Sequence, residues 1–233
     1  MPHPTVLTIL TLLILIIALP LVSLWTGKRI RAAASAAAGK YLRYARTIVI
    51  LWCLTALALY ALRLHHLDPA SVGLRPPHYI VELAAGLVTL VAPVLASLGG
   101  SRRVLEGDYA RALRAVVPTD RGEWIVFVPV AASAGICEEF LYRGYALNII
   151  GSMTGSLILG AVLSSVAFGI GHAYQGKTGV IGATVTGFLY ACVFLATGSL
   201  YPCMLGHFIQ DIAGAAVLSR RLDEPNPAAA TSG

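Results

Sequence analysis

The sequence predicts an all-α fold, a polytopic transmembrane helical bundle of about seven spans whose catalytic cavity lies within the C-terminal four. Three observations carry that expectation. Of the 233 residues, 57% are hydrophobic and only 12% charged, with a mean hydropathy of +0.77, a balance too apolar for a soluble domain of this length. Apolar runs recur at about 5–25, 47–64, 80–98, 124–150, 154–172, 178–197 and 201–219. Most are near the roughly 20 residues that carry a helix across ~30 Å of hydrocarbon. The runs are rich in Leu, Ala and Gly and lack the alternation of an outer-membrane barrel, so helices are the spanning element.

The first run is expected to be a mature helix, because no Lys or Arg precedes it and no convincing small-residue cleavage site follows. Residues 1–123 read as an N-terminal transmembrane scaffold of three spans whose only acidic member is Glu82, near a helix end where it reaches the headgroups. The loop 99–123, with mixed charge and Pro118, fits a short amphipathic helix lying in the interface. Residues 124–219 hold four spans and nearly all the buried ionisable groups, and form the expected catalytic membrane core. Residues 220–233, rich in Pro and Ala, read as a disordered cytoplasmic tail. No strong internal repeat is present.

Fourteen of the 17 basic residues fall on one side of a seven-helix threading, mostly in the segments around 28–46 and 102–121. The positive-inside rule makes that side cytoplasmic, the C-terminus included. The net charge of +6 is thereby accounted for by topology and anionic lipid, and nucleic acid is not an expected partner. The cysteines Cys53, Cys137, Cys192 and Cys203 lie in or beside apolar spans without close pairing, which implies neither a disulfide framework nor a Cys-rich metal site. Cys137 adjoins the glutamate pair, but a thiol in apolar surroundings is usually inert packing.

Two neighbouring glutamates in one span need a reason beyond folding, since a charge near the bilayer centre costs about 2.5–3.5 kcal/mol on insertion scales. In a helix Glu139 and Arg143 share a face, whereas Glu138 points about 100° away and is free for proton transfer. A buried Glu139–Arg143 pair that only fixes packing is the competing reading, weakened by the second glutamate. Phe168 and His172 are four residues apart, as are His207 and Asp211, so each pair lies on one face and Asp211 can orient the His207 imidazole. A lone transmembrane histidine is more often a helix–helix hydrogen bond. Two histidines, two glutamates and an aspartate on three helices argue for chemistry. Counted from a turn near Met153, Glu138 and His172 differ in depth by only about 6 Å of helix rise.

These residues resemble a family. Glu138-Glu139-Phe140-Leu141-Tyr142-Arg143 fits an EExxxR motif, Phe168-Gly169-Ile170-Gly171-His172 fits FxxxH, and His207-Phe208-Ile209-Gln210-Asp211 fits HxxxN/D. In that order and spacing they resemble the CPBP group of intramembrane proteases, which comprises CAAX prenyl proteases and Abi proteins, over roughly residues 124–219. The resemblance implies that Glu138 and His172 activate a water, that His207 and the residue four beyond it steady the oxyanion, and that Glu139 and Arg143 support the site. Asp211 departs from the commoner Asn. An ionised Asp cannot donate to an oxyanion, so either burial keeps Asp211 protonated or, the role expected here, it fixes the His207 tautomer and favours its imidazolium form.

The expected activity is therefore that of an intramembrane endopeptidase acting on a membrane-associated or lipid-anchored substrate in the lipid bilayer of a bacterial cell. No cofactor is expected, there being no HExxH helix. The alternative is zinc on Glu138, His172 and His207. Two other classes use the same residues: a proton-coupled transporter with an acid and histidine relay, and a non-catalytic peptide-binding or immunity protein. One further expectation comes from helix counting. A helix starting at the surface near Tyr201 would leave His207 only about 9 Å deep, while His172 lies about 28 Å from the outer turn. Segment 198–204, containing Pro202, is therefore expected to be re-entrant, with backbone groups free to pair with substrate.

Overall fold

The computed structural model describes residues 4–32, 38–64, 68–75, 78, 80–82, 84–89 and 113–223. Among these residues every regular element is a helix. The elements are α1 (Val6–Leu13) continuing through a π turn into α2 (Leu19–Ala32), α3 (Ala38–Leu64), α4 (Ile80–Thr89), α5 (Arg121–Glu139), α6 (Leu147–Thr154), α7 (Leu157–Gly171), α8 (Gly176–Thr197) and α9 (Tyr201–Asp223). Among the described residues, four stretches are long and apolar enough to cross a membrane: Val6–Gly27, Gly39–Leu64, Arg121–Thr154 and Ala173–Thr197. The chain is thus an integral membrane protein. Helix α7 is apolar but shorter, at 15 residues. The third apolar run is described only as far as Thr89, and the expected interfacial helix falls largely outside the described residues. Helix α9 continues to Asp223, so the first residues of the expected tail are helical.

Composition explains which faces meet and which are left to lipid. The core joins Leu15, Ala58, Leu62, Phe140, Tyr145, Leu147, Ala161, Phe168, Tyr190, Phe194 and Leu200. Around it, Val6, Leu21, Trp25, Leu42, Val49, Ile125, Ile158, Ile181 and Val185 remain exposed, the pattern of a bundle whose outer solvent is hydrocarbon. Arg29 stacks 4.4 Å over the Trp25 ring, a pairing suited to the membrane interface.

Helix α5 starts where Asp120 accepts a hydrogen bond from the Glu123 amide at 2.9 Å. Glu123 in turn accepts from the Thr119 amide and from Lys40 Nζ, both at 2.7 Å. Lys40, Arg43 and Tyr44 of α3 donate to the carbonyls of Val117, Ala115 and Val116, which closes the end of the short helix at 113–116. At the other end of α5 the chain passes into a seven-residue π-helical segment, Phe140–Ala146. Such widened turns are rare and occur mostly at functional sites.

The segment between α8 and α9 differs from the expected re-entrant loop. It is a tight turn: Gly198 takes φ of 65°, which only glycine adopts without strain, and α9 begins at Tyr201 with Pro202 in its first turn, where no amide is needed. The turn is sealed, with Ser199 and Leu200 fully buried. Its backbone is taken up as well. Leu200 donates to Gly73 O at 3.0 Å, and Arg75 donates to the carbonyls of Gly198 and Thr197. No free edge for a substrate strand is left there. Glu82 also differs from expectation, being 9% exposed, with Oε1 lacking a hydrogen-bond partner among the described residues.

Candidate active site

Three elements bring the motif residues together, and glycines set how closely they approach. A Cβ on Gly135 of α5 would lie 2.8 Å from Met204 O and 3.1 Å from the Phe208 amide of α9. The two backbones therefore touch one turn before the glutamates, and His207 faces the end of α5. On α8, a Cβ on Gly187 would lie 2.9 Å from Arg143 Nη2 and 3.1 Å from the Phe168 ring. The absence of a side chain at Gly187 is what leaves room for the Arg143 guanidinium.

Glu139 is the hub. Its Oε1 accepts from Arg143 Nη1 at 2.9 Å and from His207 Nδ1 at 2.8 Å. Glu139 and Arg143 are almost completely buried, at 0% and 1% exposure. The remaining guanidinium edge is covered by aromatic faces, with Arg143 Cζ 4.5 Å from the Phe168 ring centroid and 5.7 Å from that of Tyr190. A buried charge pair needs such additional contacts to offset desolvation.

The carboxylate that orients His207 therefore comes from Glu139, across the helix interface, and not from Asp211 as the spacing suggested. His207 Nε2 lies 3.8 Å from Glu138 Oε2 and 3.8 Å from Asp211 Oδ2, beyond hydrogen-bond range. Because a carboxylate only accepts, the His207 Nδ1 carries a proton toward Glu139 and Nε2 is the atom turned to the two outer carboxylates. Glu138 and Asp211 are part-exposed, at 18% and 31% for the side chain. The arrangement grades from a sealed Glu139–Arg143 base to an accessible Glu138–Asp211 rim.

His172 caps α7, and its Nδ1 donates to the Phe168 carbonyl at 2.8 Å. In the neutral ring this leaves Nε2 as an acceptor. The Phe168 ring packs against both histidines, 4.6 Å from His172 and 6.1 Å from His207 centroid to centroid, so the two imidazoles lie within about 11 Å of each other. Phe168 entered the sequence reading only as the first residue of the FxxxH motif. In the fold it is the wall that both histidines and Arg143 share.

Two residues of this cluster were not singled out from the sequence. The Tyr190 ring is 6.0 Å from that of His207, and its hydroxyl donates to Gln210 Oε1 at 2.7 Å. Gln210 lies inside the third motif, and that placement was the available signal. Tyr190 had none beyond being a polar-tipped aromatic in an apolar span.

Among the described residues no group of three or more His, Cys, Asp or Glu side chains is arranged to hold a metal ion. Glu138, His172 and His207, the set a zinc site would use, do not converge as ligands here.

With this geometry in hand, the comparison with known families is specific. Residues 120–213 match the family model described as type II CAAX prenyl endopeptidase, Rce1-like. Over this stretch, about two fifths of its length, the chain is similar to that family. The Rce1-like stretch contains all six motif residues, Glu138, Glu139, Arg143, His172, His207 and Asp211, whereas α1 to α4 lie outside it. A peptidase class and a membrane setting are what this family and the apolar helices support together. No curated protein and no solved structure matches the chain.

Proposed function

We propose that the protein is an intramembrane endopeptidase of the glutamate type, which hydrolyses a peptide bond of a membrane-associated or lipid-anchored substrate. The observation that carries this reading is the cluster on Glu139: one sealed carboxylate holds both Arg143 and His207, and leaves Glu138 beside His207 Nε2 at the accessible rim. A purely structural ion pair does not call for a second glutamate at that rim.

Glu138 is the general base. It takes a proton from a water whose oxygen adds to the scissile carbonyl carbon. His172, with Nδ1 fixed on the Phe168 carbonyl, offers Nε2 to share that proton. His207, held by Glu139 in its imidazolium form with both ring nitrogens protonated, donates from Nε2 to the oxyanion of the tetrahedral intermediate, where a dry site makes stabilisation strong. Collapse breaks the carbon–nitrogen bond, and the leaving amine takes the proton that Glu138 received. Asp211 lies 3.8 Å from the same Nε2, where its carboxylate favours the imidazolium form of His207.

This reading routes no step through a metal: Glu138 and His172 activate the water, and Glu138, His172 and His207 are not grouped as a ligand set among the described residues. The seven-span topology, the cytoplasmic C-terminus and a bacterial cell membrane belong to the same proposal, in which the charge asymmetry of the loops supports the orientation. The test compares chain ends in membranes from cells carrying the wild type and Glu138→Gln. New ends found only with the wild type support the reading and name the bond. Identical ends, together with ion flux in proteoliposomes, would favour the transporter.

A further inference from the structure

A residue outside the family match is locked against the helix that carries His207. Thr89, the last described residue of α4, is fully buried. A Cβ on Gly206 would lie 2.2 Å from Thr89 Oγ1 and 2.6 Å from its Cβ. Thr89 thus sits in the notch left by the glycine that precedes His207. Its hydroxyl reaches Gly86 O at 2.9 Å within its own helix and Pro202 O at 3.2 Å on α9. Its carbonyl lies 3.4 Å from the Tyr190 hydroxyl, which in turn holds Gln210, the residue before Asp211. Cys203 Sγ donates to Tyr190 O at 3.4 Å. Threonine, tyrosine and cysteine thereby tie three helices together at the two positions next to His207 and Asp211.

We propose that Thr89 is a positioning residue for the candidate active site, seated on Gly206 so that α9 presents His207 to Glu138 and Glu139. The proposal rests on the protease reading for its activity arm, and on packing alone for its second arm. Because α4 precedes the Rce1-like stretch, the N-terminal half is then part of the catalytic device and not a passive scaffold. A displacement of about 1 Å at a reacting group can cost on the order of 10²-fold in rate, which sets the size of the effect.

The experiment uses purified full-length protein in liposomes with a farnesylated peptide ending in Cys-aliphatic-aliphatic-X as the probe. Gly206→Ala places a methyl group on Thr89 and is expected to lower kcat about 10²-fold with KM within about twofold. Thr89→Gly combined with Gly206→Ala moves the missing side chain to the other helix and is expected to recover at least about tenfold of the loss, the coupling expected of residues in contact. Thr89→Ser should keep most of the wild-type kcat. In parallel, peptide-resolved alkylation of the buried Cys203 reads the seating of α9 without any substrate and should be faster in Gly206→Ala. Wild-type kcat in Gly206→Ala, a double variant no better than the single one, or unchanged Cys203 alkylation would each overturn the proposal. If Gly206→Ala does not fold, Thr89→Ala replaces it, with a kcat drop and faster Cys203 alkylation expected and wild-type values overturning. If the wild type does not cut this peptide, the choice of a prenylated substrate is what fails, the chain-end comparison decides the protease reading, and Cys203 alkylation alone decides the placement of Thr89.

Discussion

Glu139 and Arg143 form the most sealed ionic contact of the site, and the two partners are not equivalent. Removing Arg143 leaves a carboxylate buried with only His207 for company, and truncating one member of a buried pair typically costs about 3–5 kcal/mol. Arg143→Ala should therefore lower the melting temperature in detergent as well as abolish turnover. Arg143→Lys keeps the charge but loses the planar stacking on Phe168 and Tyr190. It should restore at most part of the stability, and a fully stable, fully active Arg143→Lys protein would contradict the role given to those faces. Of the residue-scale expectations, the Glu139–Arg143 pairing was legible because i,i+4 spacing sets it locally. The Glu139–His207 bond was not, since it joins residues 68 positions apart and depends on how α5 and α9 approach.

At the scale of elements, that approach is governed by backbone contact at Gly135. A methyl group there would press on Met204 O and the Phe208 amide, and such overpacking costs about 1–3 kcal/mol. Gly135→Ala should weaken turnover by shifting α9 away from the glutamates while α7 and α8 keep their packing. Thermal unfolding and peptide turnover measured together check this, and a variant with both unchanged would show that the helices are not limited by this contact. The turn between α8 and α9 carries the instructive difference from sequence reasoning. Helix counting recognised that His207 and His172 could share a site only if something other than a surface start preceded α9. It had no means of knowing that Gly73 and Arg75 of a distant loop would satisfy the turn's backbone. With those groups satisfied, a compact turn replaces the re-entrant loop.

For the whole molecule, composition and apolar runs announced a helical membrane protein, because water and hydrocarbon sort side chains by chemistry without reference to tertiary contacts. Loop charge gives the orientation proposal. A cysteine at exposed Lys177 should label only from the cytoplasmic side and one at exposed Ser71 only from outside, in a background lacking Cys53 and Cys192, and the reverse pattern would invert the topology. Extensively chelated protein should keep its turnover, whereas stoichiometric zinc lost with activity and restored with it would overturn the metal-independent reading. The most direct test of the central claim is the rate of peptide hydrolysis by wild type and Glu138→Gln, purified side by side in lipid. A general base contributes about 10²–10⁴-fold, so the account predicts a loss of that size with membrane insertion and melting temperature preserved, and a Glu138→Gln protein that turns over at the wild-type rate would contradict it.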